Sequence, residues 1–475
     1  MSDSESSARS SSLLASFRAL TSGSTGYLVV NAINITEGIA YFGILALLTL
    51  FLQHGAGWSL QDSGSLVGWF TALVTLLMVP GGVVVDRLGV RRGFTVALGL
   101  MVLGRAVLLI PGVTGPGAAA LWGTGSALFV MAAANGVLQP ALYAGVKEYT
   151  DPKTASMGYA VLYAAMNLGM AGELLIAGNV REWWAQSVES TDPSVQTNGL
   201  LGPLLLCMLI TMATFVLHTT VFTRKVEARD RTAQEPVDDE YARKSFLEKA
   251  KSLPITDARF LYFIFILLFV RMLFAHQWLT VPHYATYELD VDVNKFLAIN
   301  PIVIVIFTPL ITAYTQRVHV LTMMIVGTTI SAVSTVLLWG PPSEGLLIAY
   351  MVLFSLGEAV WSSRFLEYVA DMAPVGQVGA YMGLGCIPWF AAKMLTGQYS
   401  GHMLAKYIPE ANPNPVDPET QGVLFRAIHE FVALLPAGDA STMWTIYGVV
   451  ACISPLGLIA ARKWIVKGVS SGIAE

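Results

Sequence analysis

The sequence has few charged residues: Asp, Glu, Lys and Arg make up only 13% of its 475 residues, whereas 54% are apolar. Together with a mean hydropathy of +0.60, this lies outside the range of water-soluble proteins and indicates a polytopic membrane protein whose main partner is the lipid bilayer. The formal net charge of −4 indicates no partner, because in a membrane protein the placement of charge matters more than its sum. No nucleic-acid partner is expected.

Cysteine is also scarce. Cys207, Cys386 and Cys452 stand in separate apolar runs, so neither a disulfide framework nor a paired-cysteine metal site is predicted. The sequence also lacks a phosphate-binding loop of the GxxxxGKS type, a cluster of metal ligands and a nucleophile–base pair. We therefore expect no enzymatic activity, no cofactor and no metal. The polar, serine-rich start has no basic region leading into a cleavable apolar segment, so no secretory signal is predicted, and residues 1–25 are expected to be a cytoplasmic tail.

Apolar runs long enough to cross a hydrocarbon core of roughly 30 Å predict about twelve transmembrane helices. Their expected extents are 26–52, 61–85, 93–112, 120–147, 155–180, 200–222, 257–282, 293–316, 320–340, 346–370, 378–405 and 441–463. The hydrophilic segment 223–256 is rich in Lys and Arg, and the positive-inside rule places it in the cytoplasm. Both termini, including the tail 464–475, then lie in the cytoplasm, and the polar connection 407–440 lies outside.

This layout predicts an all-α membrane protein with two six-helix bundles, at 26–222 and 257–463, joined by the cytoplasmic linker. Two bundles that move around a central site are typical of secondary transporters. A channel or a scaffold is the alternative, but polar and ionisable residues deep within the spans favour a solute or proton pathway. We expect a monomer in the cell membrane, which is the inner membrane of a bacterium.

The first span contains a single carboxylate, Glu37, in an otherwise apolar run. An isolated acid at bilayer depth costs about 2.5 kcal/mol or more, so such a residue normally faces a polar cavity, pairs with a neighbour or carries protons. Asn34 and Tyr41 lie three residues before and four residues after Glu37, on the same face of the helix. All three are candidates to line a cavity.

The loop after the second span has a distinctive spacing of glycines and charges. Its functional positions are Gly82, Asp86, Arg87, Gly89, Arg91 and Arg92. A generic positive-inside loop would account for the arginines but not for the glycines and the aspartate. The segment resembles the cytoplasmic signature of the major facilitator superfamily, which implies that superfamily's fold of two six-helix bundles.

Several other stretches are similar to one branch of that superfamily, the proton-dependent oligopeptide transporters. The eighth span contains Asn300-Pro301 followed by Pro309, the fourth contains Gln139-Pro140, the fifth runs from Tyr163 to Asn167-Leu168-Gly169, and the tenth contains Gly357-Glu358. Their order and approximate spacing match the family in both halves of the chain. The resemblance implies proton-coupled transport of peptides or peptide-like solutes.

The match is incomplete at two cationic positions. The family's first span reads ExxERFxYYG, whereas here Asn34 replaces the first glutamate and Gly38 replaces the arginine. In the fourth span, Gln139 stands where the family usually has lysine. In the family both cations belong to the side of the pocket that receives the peptide carboxylate. We therefore hypothesise a solute that either lacks this carboxylate or presents it to another cation.

The resemblance assigns the amine-binding role to Asn167, Asn300 and Glu358. One carboxylate surrounded by neutral acceptors suits an ammonium group in a cavity of low dielectric constant. The candidates for the other cation are Arg105, Arg271, Arg364 and Lys393, and the alternative for each is a snorkelling side chain near a membrane interface. Further candidates for solute contact are Gln139, Tyr143, Tyr163 and Trp389, and for Trp389 the alternative is packing against lipid.

For proton coupling we expect Glu37 and Glu358 to change protonation as the cavity dries and rehydrates. His276 is a third candidate, for which a hydrogen-bonded core position is the alternative. The predicted function is proton-coupled symport of a small amine-bearing solute, with di- and tripeptides among the candidates. The alternatives are a proton-driven exporter of amphipathic molecules and a substrate sensor that has lost transport.

Overall fold

The computed structural model describes residues 24–54, 56–58, 60–114, 117–151, 154–186, 193–231, 258–291, 296, 298–373, 377–411 and 423–466. Every regular element in these ranges is helical, which confirms the predicted all-α class. Most of the predicted N-terminal tail and linker, the middle of the predicted outer loop and the end of the C-terminal tail lie outside the described residues.

Among the described residues up to 231, the α-helices are α1 (Thr25–His54), α2 (Leu60–Leu88), α3 (Val90–Thr114), α4 (Ala118–Tyr149), α5 (Ala155–Gln186), α6 (Pro193–Val221) and α7 (Arg224–Asp230). Among the described residues from 258 onward, they are α8 (Ala258–Ile266), α9 (Leu268–Leu279), α10 (Val281–Leu289), α11 (Ile299–Thr315), α12 (Val320–Val333), α13 (Glu344–Met372), α14 (Val378–Gly385), α15 (Ile387–Tyr407), α16 (Val423–Leu434), α17 (Ala440–Ala451) and α18 (Ile453–Val466).

Within the described ranges, ten helical segments are long and apolar enough to cross a membrane. The other two predicted spans, 155–180 and 293–316, correspond to α5 and to α11, whose apolar stretch has only 17 residues. Large apolar side chains such as Trp69, Leu103 and Trp122 are exposed on these helices. A lipid-facing surface accounts for them, since a bilayer solvates apolar side chains.

Within the described residues, three of the predicted spans, the seventh, the eleventh and the twelfth, are divided into shorter α-helices. Near Pro388 the eleventh span divides into α14 and α15, because proline has no amide hydrogen and its ring clashes with the carbonyl four residues earlier. The break between α8 and α9 has a different cause. There the Ser454 hydroxyl donates to the carbonyl of Ile266 at 2.7 Å and accepts from the amide of Val270 at 3.0 Å. A side chain inserted into the helical hydrogen-bond ladder bends the helix without leaving a buried polar group unpaired.

The chain divides into two compact units, and the six-plus-six arrangement stays a prediction. Unit 1 contains residues 1–253, 312–316 and 366–386, and unit 2 contains 254–311, 317–365 and 387–475. The apolar core of unit 1 is built from α1 to α6, with Phe51 and Met131 fully buried. In unit 2 the core surrounds Trp444, whose ring packs against Tyr284, Tyr350 and Tyr447.

Helices α1 and α5 of unit 1 approach each other closely at two glycines, Gly38 and Gly169. A Cβ atom on Gly169 would lie 2.6 Å from the carbonyl oxygen of Ile35, and one on Gly38 would lie 3.3 Å from that of Met166. Small residues allow two helix backbones to pack this tightly in a membrane. Gly38, which replaces the arginine expected from the family motif, is therefore part of a helix–helix contact.

Candidate functional site

A buried ion pair connects the middle of α1 with the middle of α3 in unit 1. Arg105 Nη2 lies 2.9 Å from Glu37 Oε2, and Arg105 Nη1 donates to Glu37 Oε1 at 3.3 Å. The two side chains are only 1% and 4% exposed. The cation missing from position 38 next to Glu37 is thus replaced by one from another helix, 68 residues further along the chain.

Helix α6 completes the surroundings of this pair. The Thr211 hydroxyl donates to Glu37 Oε1 at 2.6 Å, and Arg105 Nη1 also approaches the carbonyl oxygen of Cys207 at 3.4 Å. Hydrogen bonds to both partners offset part of the cost of removing the two charges from water. Sequence reasoning named Glu37 and Arg105 for different roles, proton coupling and solute binding, and the structure places them together.

Near this pair lies a second buried acid, Glu173 of α5, which sequence reasoning missed. Its side chain is 6% exposed, and it packs with Cys207 against Gly43 of α1. Among the described residues its carboxylate has no hydrogen-bond or ion-pair partner. The signal was available, since an acid within an otherwise apolar span is as unusual at this position as at Glu37.

Several predicted solute contacts of unit 1 are engaged in the helix framework. The Asn34 side chain donates to the carbonyl of Leu162 at 2.7 Å, and that of Asn167 donates to the carbonyl of Tyr163 at 2.9 Å. The ring of Tyr41 packs edge-on against Phe42. Gln139 and Tyr143 are half-buried on α4, and Tyr163 is buried on α5. Solute contact at these positions stays a prediction.

Unit 2 contains a pocket to which three helices each contribute two residues. Its lining consists of Arg271 and Phe274 from α9, Glu358 and Trp361 from α13, and Trp389 and Lys393 from α15. The members of each pair are three or four residues apart, so they share one helix face. About 260 Å³ of space without protein atoms, part of it open to solvent, lies against them. Four of the six, Arg271, Glu358, Trp389 and Lys393, were predicted site residues, and the two missed ones are aromatic.

Glu358 is held by a hydrogen bond from Asn300, another predicted site residue. Asn300 Nδ2 donates to Glu358 Oε2 at 2.7 Å and also approaches the Ser355 hydroxyl at 3.0 Å. Glu358 and Asn300 are 2% and 3% exposed. The structure thus brings together two of the three residues to which the family resemblance assigns amine binding.

The guanidinium of Arg271 lies among aromatic rings. Its Cζ atom is 4.1 Å from the ring centre of Phe365, 5.1 Å from that of Trp389 and 5.6 Å from that of Trp361. A cation within about 6 Å of an aromatic face is attracted by the negative face of the ring. The rings therefore fix this cation in the pocket wall, where it is 3% exposed.

Lys393 differs from the other predicted cations in its accessibility. Its side chain is exposed, and its ammonium lies 6.0 Å from the ring centre of Trp389, one turn earlier on α15. In the part of the chain that the structure describes, no carboxylate lies within 4 Å of this ammonium. Arg364, by contrast, is buried in α13 and does not line the pocket.

The environment of His276 favours the core alternative. Its Nδ1 atom lies 2.8 Å from the Thr280 hydroxyl, and its Nε2 atom lies 2.7 Å from the Tyr399 hydroxyl. The imidazole ring stacks on Tyr447 with 3.7 Å between ring centres. Both nitrogens are thus engaged within packed aromatic side chains, and a role for His276 in proton coupling stays a prediction.

The charged motif after α2 forms specific contacts within unit 1. Asp86 Oδ1 accepts from the amide of Gly379 at 2.8 Å, and Asp86 Oδ2 accepts from that of Ala380 at 3.0 Å. These amides belong to the first turn of α14, where a negative charge is favourable. A side chain on Gly82 would overlap the carbonyl oxygen of Gly379, so glycine permits this approach.

The rest of the motif lies at the turn into α3. Gly89 has a φ of 79°, a left-handed conformation that favours glycine. Arg91 forms an ion pair with Glu227 of α7 at 2.7 Å, whereas Arg87 and Arg92 are exposed. Arg91 therefore connects the motif to the start of the segment for which sequence analysis predicted a cytoplasmic linker.

Two more contacts join the end of α13 to α4 and α5 in unit 1. The Lys147 ammonium donates to the carbonyl of Ala370 and lies 3.9 Å from the Asp371 carboxylate. The Ser156 hydroxyl donates to the Glu367 carboxylate at 2.9 Å. With Asp86, these contacts fix segment 366–386 to the helices of unit 1.

Comparison with known proteins places these sites in a family context. A model of the Major Facilitator Superfamily matches residues 30–392. The dipeptide and tripeptide permease A of Erwinia pyrifoliae is 23% identical over 447 residues, covering 82% of this chain and 87% of the permease. This match confirms the resemblance to peptide transporters that the sequence motifs carry.

Solved structures resemble the fold along nearly the whole chain. A bacterial homologue of the human drug peptide transporters PepT1 and PepT2 has a TM-score of 0.60 at 16% identity, covering 94% of this chain and 99% of its own. A POT family transporter in complex with 5-aminolevulinic acid has a TM-score of 0.58 at 17% identity, with coverages of 93% and 96%. FucP in the outward conformation has a TM-score of 0.63 at 12% identity, with coverages of 91% and 98%.

Proposed function

The chain belongs to the major facilitator superfamily, and from this premise we propose that it is a secondary active transporter that couples proton movement to the uptake of a small amine-bearing solute. Its transmembrane helices make it a multi-pass membrane protein. The observation that carries the proposal is the pocket of unit 2, where a buried carboxylate, Glu358, lies among aromatic rings. The peptide permease relative supports a peptide or peptide-like solute.

The chemistry of this pocket suits an ammonium group. Glu358 offers a carboxylate oxygen for a charge-assisted hydrogen bond, and Asn300 orients that carboxylate. The rings of Trp361 and Trp389 add faces that attract cations. An ammonium that binds here exchanges its hydration water for a negative charge and aromatic surface. This exchange is favourable because the carboxylate is already held in position before the ammonium arrives.

Proton coupling uses carboxylates whose proton affinity depends on the charges around them. Protonation of Glu37 removes the negative charge of its ion pair with Arg105. The electrostatic attraction that holds the Arg105 guanidinium against α1 is then lost. Protonation of Glu358 removes the charge that attracts the ammonium. A proton on Glu358 therefore releases the bound amine. The proton that travels inward with the solute is assigned to Glu37, where it loosens α1 from α3. His276 stays a third candidate.

Alternating access in this superfamily requires that contacts on one side of the membrane form and break in turn. The Asp86 bonds to α14 and the Lys147 and Ser156 bonds to the end of α13 are suited to this. Each depends on a hydrogen bond that water replaces when the cytoplasmic side opens. We place the protein in the cell (inner) membrane as a monomer with both termini in the cytoplasm.

Two other functions compete with this proposal. A proton-driven exporter of amphipathic compounds would use the same acids in the opposite direction, and net efflux driven by an imposed proton gradient would identify it. A non-transporting sensor would bind solute without flux. Glu37 is already bound by Arg105 and Thr211, and this is the observation that supports the sensor.

The test uses the full chain in proteoliposomes with alanyl-alanine as the first probe. Glu37→Gln is expected to abolish accumulation driven by a proton gradient, because the group that binds the proton is lost. It also leaves the buried Arg105 without its carboxylate, so retained counterflow exchange is the result that shows the variant is folded and still binds solute. Glu344→Gln is the matched control, since this acid is exposed at the start of α13. Unchanged gradient-driven uptake by Glu37→Gln would contradict the role of Glu37, and the absence of proton-driven uptake by the unmodified protein would contradict the function.

A further inference from the structure

We propose that Lys393 binds a carboxylate of the transported solute, so that the pocket of unit 2 recognises both charged ends of a small amino-carboxylic acid or short peptide. The inference rests on the proposed function, because it concerns the solute that this transporter would carry. It differs from the arrangement implied by the family resemblance, in which the carboxylate is received by cations at the positions of Gly38 and Gln139.

Those two positions offer no charge in this chain. Gly38 is occupied by a helix contact, since even a Cβ atom there would lie 3.3 Å from the carbonyl oxygen of Met166. Gln139 is a neutral, half-buried side chain. A solute carboxylate that enters the membrane interior needs a cation, because the loss of hydration is otherwise too costly. That cation must come from another position.

Three of the four candidate cations are buried, and each is either held by other side chains or absent from the pocket lining. Arg105 is 1% exposed and ion-paired with Glu37. Arg271 is packed over the ring of Phe365 and beside two tryptophans. Arg364 is buried away from the pocket lining. Lys393 is exposed and lines the pocket, so its ammonium is the cation that a solute can reach without dismantling a packed contact.

The charge balance of the pocket also favours a solute that carries a carboxylate. Arg271 and Lys393 bring two positive charges, and Glu358 brings one negative charge. With Glu358 ionised, the lining carries a net charge of +1 before any solute enters. An amine alone would raise this to +2, whereas a zwitterion leaves it unchanged. Unbalanced charge is expensive where water is scarce, so a solute with a carboxylate is favoured over a simple amine.

The geometry separates the two ends of such a solute. Glu358 and Asn300 receive the ammonium, and Lys393 on α15 receives the carboxylate. Trp361 and Trp389, one on each helix, provide an apolar surface for the part of the solute between its charges.

The alternative to solute binding is that the Lys393 side chain only extends its ammonium towards a membrane interface. It predicts that the lysine contributes nothing to the choice between an acid and its amide. The inference predicts the opposite, and matched pairs of ligands therefore separate the two. Suitable probes are phenylalanine with phenylalanine amide, and alanyl-phenylalanine with alanyl-phenylalanine amide.

The experiment measures the dissociation constant of each probe from the ligand-dependent rise in melting temperature of the purified full chain. We expect the unmodified protein to bind at least one acid about tenfold or more tightly than its amide, a difference of about 1.4 kcal/mol. Lys393→Gln should reduce this ratio to within about threefold of one, without weakening amide binding. Lys393→Arg should preserve most of the preference, because it keeps the positive charge.

The matched control is Lys463→Gln, which removes an exposed lysine from α18 outside the pocket lining and should leave the ratio unchanged. Retained amide binding by Lys393→Gln shows that this variant is folded. An unmodified protein that binds neither acid, or that binds the amides equally well, overturns the inference. So does an acid preference that survives Lys393→Gln. Acid-selective binding without proton-driven uptake would overturn the proposed function and leave the inference standing.

Discussion

Removing Arg105 is expected to destabilise the protein strongly, because it leaves the Glu37 carboxylate buried without its cation. The ion pair has contacts of 2.9 and 3.3 Å, and its side chains are 1% and 4% exposed. Breaking a buried pair by deleting one partner costs about 3–5 kcal/mol. We therefore expect Arg105→Gln to lower the unfolding free energy by about this amount, with the Thr211 hydroxyl bond to Glu37 reducing the loss towards the lower figure.

The double variant Glu37→Gln, Arg105→Gln provides the decisive comparison. It buries no charge, so it should recover most of the loss, and the double-mutant cycle isolates the interaction between the two positions. Arg91→Gln is the surface control, because the Arg91–Glu227 pair is 16% and 21% exposed and such pairs contribute about 0–1 kcal/mol.

The assay is denaturant unfolding in mixed micelles, followed by helical circular dichroism. Two results would refute the reasoning. One is an Arg105→Gln variant as stable as Arg91→Gln. The other is a double variant no more stable than Arg105→Gln, which would mean that the loss comes from packing and not from an unpaired charge.

Three further predictions test the framework around the site. Gly169→Val should lower thermal stability, because its side chain would meet an α1 carbonyl. Gly397→Ala should be neutral or slightly stabilising, because an added Cβ atom there has open space around it, and melting curves of the two variants distinguish these outcomes. Asp86→Asn should speed amide hydrogen exchange in the first turn of α14 about tenfold, because hydrogen bonds to a charged acceptor contribute about 1.5–3 kcal/mol, and equal exchange would contradict the cap. The pKa of Asp439, which caps α17, lies below its ordinary value because the Ser441 hydroxyl donates a hydrogen bond to its carboxylate. The cap therefore contributes its full stabilisation at pH values above the pKa of Asp439 in the unfolded chain. This stabilisation is lost as the pH falls through the lower pKa of the folded protein. Melting temperatures of Asp439→Asn and unmodified protein should accordingly converge at acidic pH, and a constant difference would argue against the cap.

Hydropathy and local motifs were sufficient to predict the helical membrane fold, because a span is a local property of about 20 residues. The Gly-rich cytoplasmic motif was equally visible, with Gly82 and Asp86 at recognisable spacing. Local patterns could not reveal that Ser454 inserts into the ladder between α8 and α9, since that contact joins residues 184 and 188 positions apart. Such breaks depend on the neighbour that a helix meets after folding.

The candidate site shows the same limit. Sequence reasoning identified Glu37, Arg105, Glu358 and Lys393 individually, from the cost of charge in a membrane. It could not assign partners, because pairing between helices depends on their rotation and depth, which composition does not specify. Arg105 was therefore grouped with Lys393 as a solute-binding cation, although the structure buries the former on Glu37 and exposes the latter.

The glycine contact between α1 and α5 limits which side chains position 38 can accept. An arginine there would place its side chain against the backbone at Gly169, where even a Cβ atom on Gly38 would lie 3.3 Å from the carbonyl oxygen of Met166. Such a variant would lose stability before it gained a useful charge. A cation can therefore be engineered at position 38 only together with a change in the α1–α5 interface, a constraint that positions outside this interface do not share.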